Sequence, residues 1–319
     1  MSHLVETMAY ANAVPWHGLG NNINADSTIE DWQRQSGLDW SVSKRQVMFR
    51  GVEFGETMTI PTRRFKDKFV LARDTDNSPF SVVSDRYKPV QPKEILEFFR
   101  DLIATHGMTI ETAGSLKDGK RIWALAKTGD AHKVLGSDLV NSYLLIATSY
   151  DLTFSTLAQF TSVRVVCNNT LQQSLNDYIS RVSIPHFKDF NADQVHESLG
   201  LGRAQWGAFS QALDAIAKIK LSVGDAGLII ANALKIPKDI EAPSPNRQHV
   251  MPIMRLFNGD AIGSDVVGQT GWGLVNAVTE YVDHRKRARN QGNRLGNAWF
   301  GEGANLKDTV FKSVLEMAG

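Results

Sequence analysis

Two stretches of the chain concentrate cations that could neutralise phosphate. Between Lys44 and Arg73 stand Lys44, Arg45, Arg50, Arg63, Arg64, Lys66, Lys68 and Arg73 against Glu53, Glu56 and Asp67, eight minus three, a local excess of +5. Between His284 and Gly301 stand Arg285, Lys286, Arg287, Arg289 and Arg294 with no acid, again +5. Phe49, Phe65, Phe69 and Tyr87 lie near the first set, and Trp299 and Phe300 follow the second. A groove for one nucleic-acid strand needs these ingredients: cations to track the backbone and rings to stack on bases. The same composition also fits a solvated strand face and a frayed helix end. Arg164 adds a third element, in a β run just before Asn168-Asn169-Thr170, which reads as a helix start. Helix amides bind anions, so an arginine beside them would suit one phosphate. A buried structural arginine fits equally well.

Glu280, Asp283 and His284 form the best metal-ligand group. At about 100° per residue, Asn276, Glu280, Asp283 and Arg287 share one face of a helix, with apolar side chains opposite. We read this as an exposed amphipathic helix, acids early and bases late, complementing its macrodipole. Cations then surround its end, so it should leave the core there and project outward. Other signatures fail. There is no Gly-x-Ser-x-Gly elbow. Gly301-Glu302-Gly303 and Gly18-Leu19-Gly20 lack the remaining positions of phosphate and dinucleotide loops. His17 reads as a turn residue, and Cys167 as a small buried hydrophobe.

The elements that must carry these residues fall into three segments. Residues 1–39 read as irregular and acidic, with a short helix near Thr28 to Gln35 capped by Ser27 or Thr28. Residues 40–184 read as an α+β core domain. Its strands include the alternating run from Trp40, Thr57 to Pro61, Phe69 to Arg73 and Phe80 to Val83. A helix opens at Pro92 and stops at Gly107, and a hairpin turns at Asp118-Gly119. Two further β segments lead to a helix over Thr170 to Tyr178. The sheet should be antiparallel with helices on one face. Residues 185–319 read as mainly helical, with a loop rich in proline between Lys235 and Asn246.

Composition bounds the whole. The 319 residues are 42% hydrophobic and 22% charged, enough to bury a core. Lys and Arg number 35 against 34 acids, a net charge of +1, so any polyanion must meet a local patch. A single cysteine excludes an internal disulfide and cysteine-rich zinc modules. No basic and apolar leader and no membrane-spanning stretch is visible, which points to a cytoplasmic protein with no membrane partner.

Pro15-Trp16-His17-Gly18-Leu19-Gly20, the run Arg164 to Leu171 and the run Asn276 to His284 together resemble the DUF932 family. More narrowly, they resemble its phage/plasmid-like members. That resemblance implies a mobile-element setting and little biochemistry, since the family is named for its unknown function. The order of strands, long helix and further hairpins is also similar to the β-β-β-α core of Rad52-like single-strand annealing proteins, an analogy of topology.

These readings converge on a non-enzymatic homo-oligomer, with a ring as one form of it, that binds single-stranded DNA and promotes annealing. Arg63, Arg64, Lys66 and Lys68, then Arg285, Lys286, Arg287 and Arg289, would contact phosphate, with Arg164 a fixed contact. No catalytic residue, cofactor or metal is assigned. The alternatives are an interaction protein that antagonises host defence, and a metal-dependent nuclease built on Glu280, Asp283 and His284.

Overall fold

The computed structural model describes residues 5–12, 20–51, 60–164, 169–172, 181–199, 203–239, 241–289 and 291–318. The chain begins with β1 (Val5–Tyr10), β2 (Asn21–Asn22) and α1 (Ile29–Gln35). β3 (Val42–Arg50), β4 (Thr62–Arg73) and β5 (Pro79–Ser84) form a small antiparallel sheet. After α2 (Pro92–His106) comes a meander of β6 (Thr109–Leu116), β7 (Arg121–Val134), β8 (Asp138–Ser149) and β9 (Thr156–Arg164), then β10 (Asn169–Gln172) and β11 (Arg181–Ile184). The rest is helical: α3 (Ala192–Leu199), α4 (Arg203–Lys218), α5 (Val223–Ala233), α6 (Val250–Arg255), α7 (Ser264–Val267), α8 (Gly271–Glu280), α9 (Gln291–Phe300) and α10 (Glu302–Leu315).

Local chemistry accounts for the clearest boundaries. Thr28 accepts from the Asp31 amide while the Asp31 carboxylate accepts from Thr28, a reciprocal cap that starts α1. Pro92 opens α2, whose Ile95, Leu96, Phe98, Phe99 and Leu102 are buried. Gly107 ends it with φ +65°, a conformation in which a Cβ is strained. The β6–β7 hairpin turns through Lys117, Asp118 and Gly119, all at positive φ.

The large sheet runs β10-β9-β8-β7-β6-β1-β2, with β11 also paired to β9. β8 is buried along nearly its whole length, because both faces of the sheet are covered. Ile122, Ala124, Ala126, Leu144, Ile146 and Ala158 meet α1, α2 and the small sheet. Trp123, Leu125, Tyr143, Leu145 and Leu157 alternate with them and meet Trp299 and Phe300 of α9. Trp123 and Trp299 contact edge to face at 5.9 Å, and Phe154 stacks on Phe300 at 4.7 Å. A separate helical core gathers Phe209, Leu213, Ile216, Trp272, Val278, Val310 and Phe311.

The fold is therefore α+β with a largely antiparallel sheet and helices concentrated toward the C-terminus, as expected. Several particulars differ. Both faces are covered, not one. Val5–Tyr10, expected to be irregular, is a strand hydrogen-bonded to β6. Asn169–Gln172 pairs with β9 as a strand, where a helix start was expected. The rest of that expected helix, 173–178, lies outside the described residues. Thr62–Arg73 is one strand, and Thr57 to Thr59 of the expected preceding strand also lie outside. α3, α7 and α9 are additions to the expected helices.

The largest difference concerns α8. Every residue from Gly271 to Asp283 is buried, acids included. Of the predicted polar face only Arg287 meets water, and the part from Asn276 to Asp283 does not. It packs inside the fold, and the helix closes in a π-turn over Tyr281–Arg285 instead of projecting outward.

Candidate nucleic-acid interface

β3 and β4 continue beyond the small sheet as a two-stranded ribbon. β5 pairs only with Lys68 to Ala72 of β4, while β3 pairs with β4 as far out as Arg50 and Thr62. The ribbon therefore has two solvent faces, and residues 62–68 are all exposed. Directly opposed residues share a face. Phe49 opposes Arg63 and Met48 opposes Arg64, so each face carries at least one arginine beside a large apolar side chain. Phe49 and Phe65 touch edge to face at 6.3 Å yet stay about half exposed, 45% and 50%.

A bulge shapes the ribbon's base. The register jumps from Gln46 opposite Phe69 to Met48 opposite Arg64. Phe65 to Lys68 thereby face Val47 alone on the β3 side, with Asp67 at φ +59° and Lys68 paired to Ser84 of β5. The Gln46 amide nitrogen donates to the Phe65 and Lys68 carbonyls at 2.8 and 3.1 Å, holding the bulge in place. Lys66 and Lys68 thus stand on the bulge beside Phe65.

Lys44, Arg45 and Arg73 of this cluster make contacts within the fold. Lys44 pairs with Asp85 at 3.3 Å and lies over the Phe69 ring. Arg45 pairs with Asp74 at 2.9 Å. Hydrogen bonds from Ser43 and Ser41, and then Arg45, hold the Asp74 carboxyl below its ordinary range. Arg73 is buried over Trp40, donating to the Asp118 carbonyl at 2.9 Å. Arg63, Arg64, Lys66 and Lys68 are exposed, as are Arg45 and Arg50.

The second cluster divides differently. The Arg285 guanidinium binds Glu280 Oε1 through Nη2 at 2.9 Å and Nε at 3.2 Å, and the Ile262 amide donates to Oε2 at 2.8 Å. Lys307 of α10 donates to Asp283 at 2.8 Å, both side chains nearly fully buried. Lys286, Arg287, Arg289 and Arg294 line a cleft of about 320 Å³ together with Asn293 and Asn297. Val282 of the π-turn, the segment 286–289 that follows it and α9 form its walls. Arg294 is held by the His284 carbonyl. Among the described residues, no carboxylate lines this cleft. Asn293 and Asn297, four apart on α9, gave no signal in the sequence because the pattern there did not mark a helix. Lys307 could not be matched to Asp283 across 24 positions.

The metal-ligand candidate changes character. Glu280 and Asp283 are buried and each meets a cation, and among the described residues no three His, Cys, Asp or Glu side chains group as metal ligands. Arg164 lies in β9 with its backbone opposite Val140 and Asn169. The expected helix amides are not there, since Asn169 is strand. His17 and Cys167 lie outside the described residues. The ribbon's small sheet and the helix α9 that walls the cleft pack on opposite faces of the large sheet.

A family model, "Domain of unknown function (DUF932)", matches residues 79–299. The chain belongs to the DUF932 family. No curated protein and no solved structure matches it. The match includes the whole cleft but begins after the ribbon, which is therefore an addition to the matched segment. Among the described residues, no helix is long and apolar enough to cross a membrane.

Proposed function

We propose that this DUF932 protein binds single-stranded DNA along the β3–β4 ribbon and, as an oligomer, promotes strand annealing, in keeping with a phage or plasmid setting in the cytoplasm. The observation that carries the reading is the pairing of exposed cations and exposed rings on one element: Arg63, Arg64, Lys66 and Lys68 beside Phe49 and Phe65. Burial of apolar surface is favourable in water, so aromatic side chains kept half open on a narrow ribbon are poised for a planar partner. Bases offer such a partner whatever their sequence, and flanking cations take the phosphates. The strand-strand-strand-helix order over β3, β4, β5 and α2 supports the annealing analogy at the level of topology alone.

Counterion release then drives binding. Each phosphate neutralised should add about 0.7 to the slope of log affinity against log salt for a single strand. Titration of a fluorescent oligonucleotide at two salt concentrations tests this. The double variant Arg63→Glu with Arg64→Glu should weaken binding and flatten the slope by ~0.7 for every phosphate no longer neutralised. Salt-independent binding, or full affinity in the variant, refutes the reading. Size-exclusion chromatography with and without the oligonucleotide reports the assembly.

A further inference from the structure

We infer that the cleft between the π-turn and α9 is a separate binding site for a phosphate monoester, on a free nucleotide or at the end of a nucleic-acid strand. The charge arrangement points to an anion. The two acids that precede the cleft in sequence are already matched, Glu280 by Arg285 and Asp283 by Lys307. They therefore do little to offset Lys286, Arg287 and Arg289, which line one concavity beside Arg294, itself held by the His284 carbonyl, with no carboxylate among the described residues of its wall. Like charges gathered around one concavity repel, and an anion among them relieves that repulsion. Guanidinium groups give paired donors suited to phosphate oxygens, and the Asn293 and Asn297 amides add neutral ones.

Size and charge narrow the ligand. The volume of about 320 Å³ is at the small end of ligand sites, ~300–1,000 Å³, and has room for one nucleotide. A monoester carries about −1.5 to −2 at neutral pH, against about −1 for each backbone phosphate, so four cations favour the monoester. The cleft sits within the segment the family model matches, whereas the ribbon does not, and the two are anchored on opposite faces of the sheet. This site stands independently of DNA binding by the ribbon.

The test uses the full chain and four probes: inorganic phosphate, adenosine monophosphate, and one short oligonucleotide bearing either a 5′-phosphate or a 5′-hydroxyl. Calorimetry should show phosphate and the mononucleotide binding with affinities lowered roughly tenfold or more by Arg287→Ala with Arg289→Ala, both exposed positions. Lys286→Gln should act in the same direction. If the 5′-phosphate also strengthens oligonucleotide binding, and that gain disappears in the cleft variants, the source is a strand end. Equal binding of the two oligonucleotides with retained mononucleotide binding assigns the site to free nucleotides. Failure of phosphate and mononucleotide to bind, or binding unchanged in all the cleft variants, overturns the inference. The ribbon variant Arg63→Glu with Arg64→Glu should leave phosphate binding intact, which keeps the two readings separable.

Discussion

The ribbon and the α8–α9 region carry the same local charge excess and use it in opposite ways. On the ribbon, exposed cations lie on a narrow element with solvent on both sides, beside two half-open phenyl rings. At the end of α8, one arginine and a lysine from another helix satisfy two buried acids, and only the remaining cations reach a cavity. A count along the chain sees two equal clusters. The fold makes one a surface and the other a lined recess with an internal ion-pair network beneath it. Buried charge is costly unless paired and hydrogen-bonded, so the acids of α8 constrain structure first.

The strongest way to separate the regions is to break the buried pair. Lys307→Ala should leave Asp283 as a buried charge without its ammonium partner and cost about 3–5 kcal/mol in urea unfolding. Removing both charges together, Lys307→Met with Asp283→Leu, should recover much of that loss, because a matched apolar pair avoids the desolvation penalty. Lys66→Ala on the ribbon should stay within about 0.5 kcal/mol of the parent protein, as for ordinary surface positions. Equal costs at Lys307 and Lys66 would erase the contrast.

That contrast also explains what could be read from sequence. α1, α2 and the Asp118-Gly119 hairpin were legible because their signals are local: a reciprocal cap, a first-turn proline, an exit glycine and a turn dipeptide. Arg63, Arg64, Lys66 and Lys68 fell between two expected strands in the sequence, Thr57 to Pro61 and Phe69 to Arg73, whereas they lie within the single strand β4. The polar face of α8 was misread because amphipathic periodicity says which residues share a face and nothing about what covers it. Its partners are Lys307 and, through the neighbouring Trp272, whose indole donates to buried Asp138 at 2.7 Å, a strand 134 positions away. Asn169–Gln172 carried good capping residues, yet pairing with β9 overrode that preference. α9 escaped notice because its glycines, Gly292 and Gly296, weaken helix propensity, while its tertiary contacts with Trp123 and Phe154 supply the stability.

A smaller effect sharpens the account of the ribbon. If Phe49 and Phe65 stack on bases, Phe49→Ala and Phe65→Ala should each weaken binding of a single strand by about 1–3 kcal/mol. The salt slope should stay unchanged, because every phosphate keeps its cation. A ribbon that binds through charge alone would show the opposite pattern, with undiminished affinity in the phenylalanine variants. Both side chains are half exposed, so unfolding stability should barely move.

The smallest expected effect lies beside the cleft. His249 shares a 2.6 Å hydrogen bond with the Tyr281 hydroxyl at the start of the π-turn. Burial first, then the positive charge of Lys286, holds its imidazole below the ordinary value of 6.5, with Glu302 acting in the opposite sense. The folded protein therefore favours neutral His249, and as pH falls the unfolded chain takes up the proton first. This group's contribution to stability is complete above 6.5 and is lost as pH drops through the lower folded value. An anion in the cleft offsets Lys286 and removes one of the two forces that depress the imidazole. Saturating inorganic phosphate should then move the His249 titration, followed by NMR, upward toward 6.5, while an oligonucleotide with a 5′-hydroxyl bound at the ribbon should leave it in place. An upward shift with the ribbon ligand instead would mean that the two cationic regions meet the same strand, and a titration unmoved by phosphate would leave Lys286 outside the anion's reach.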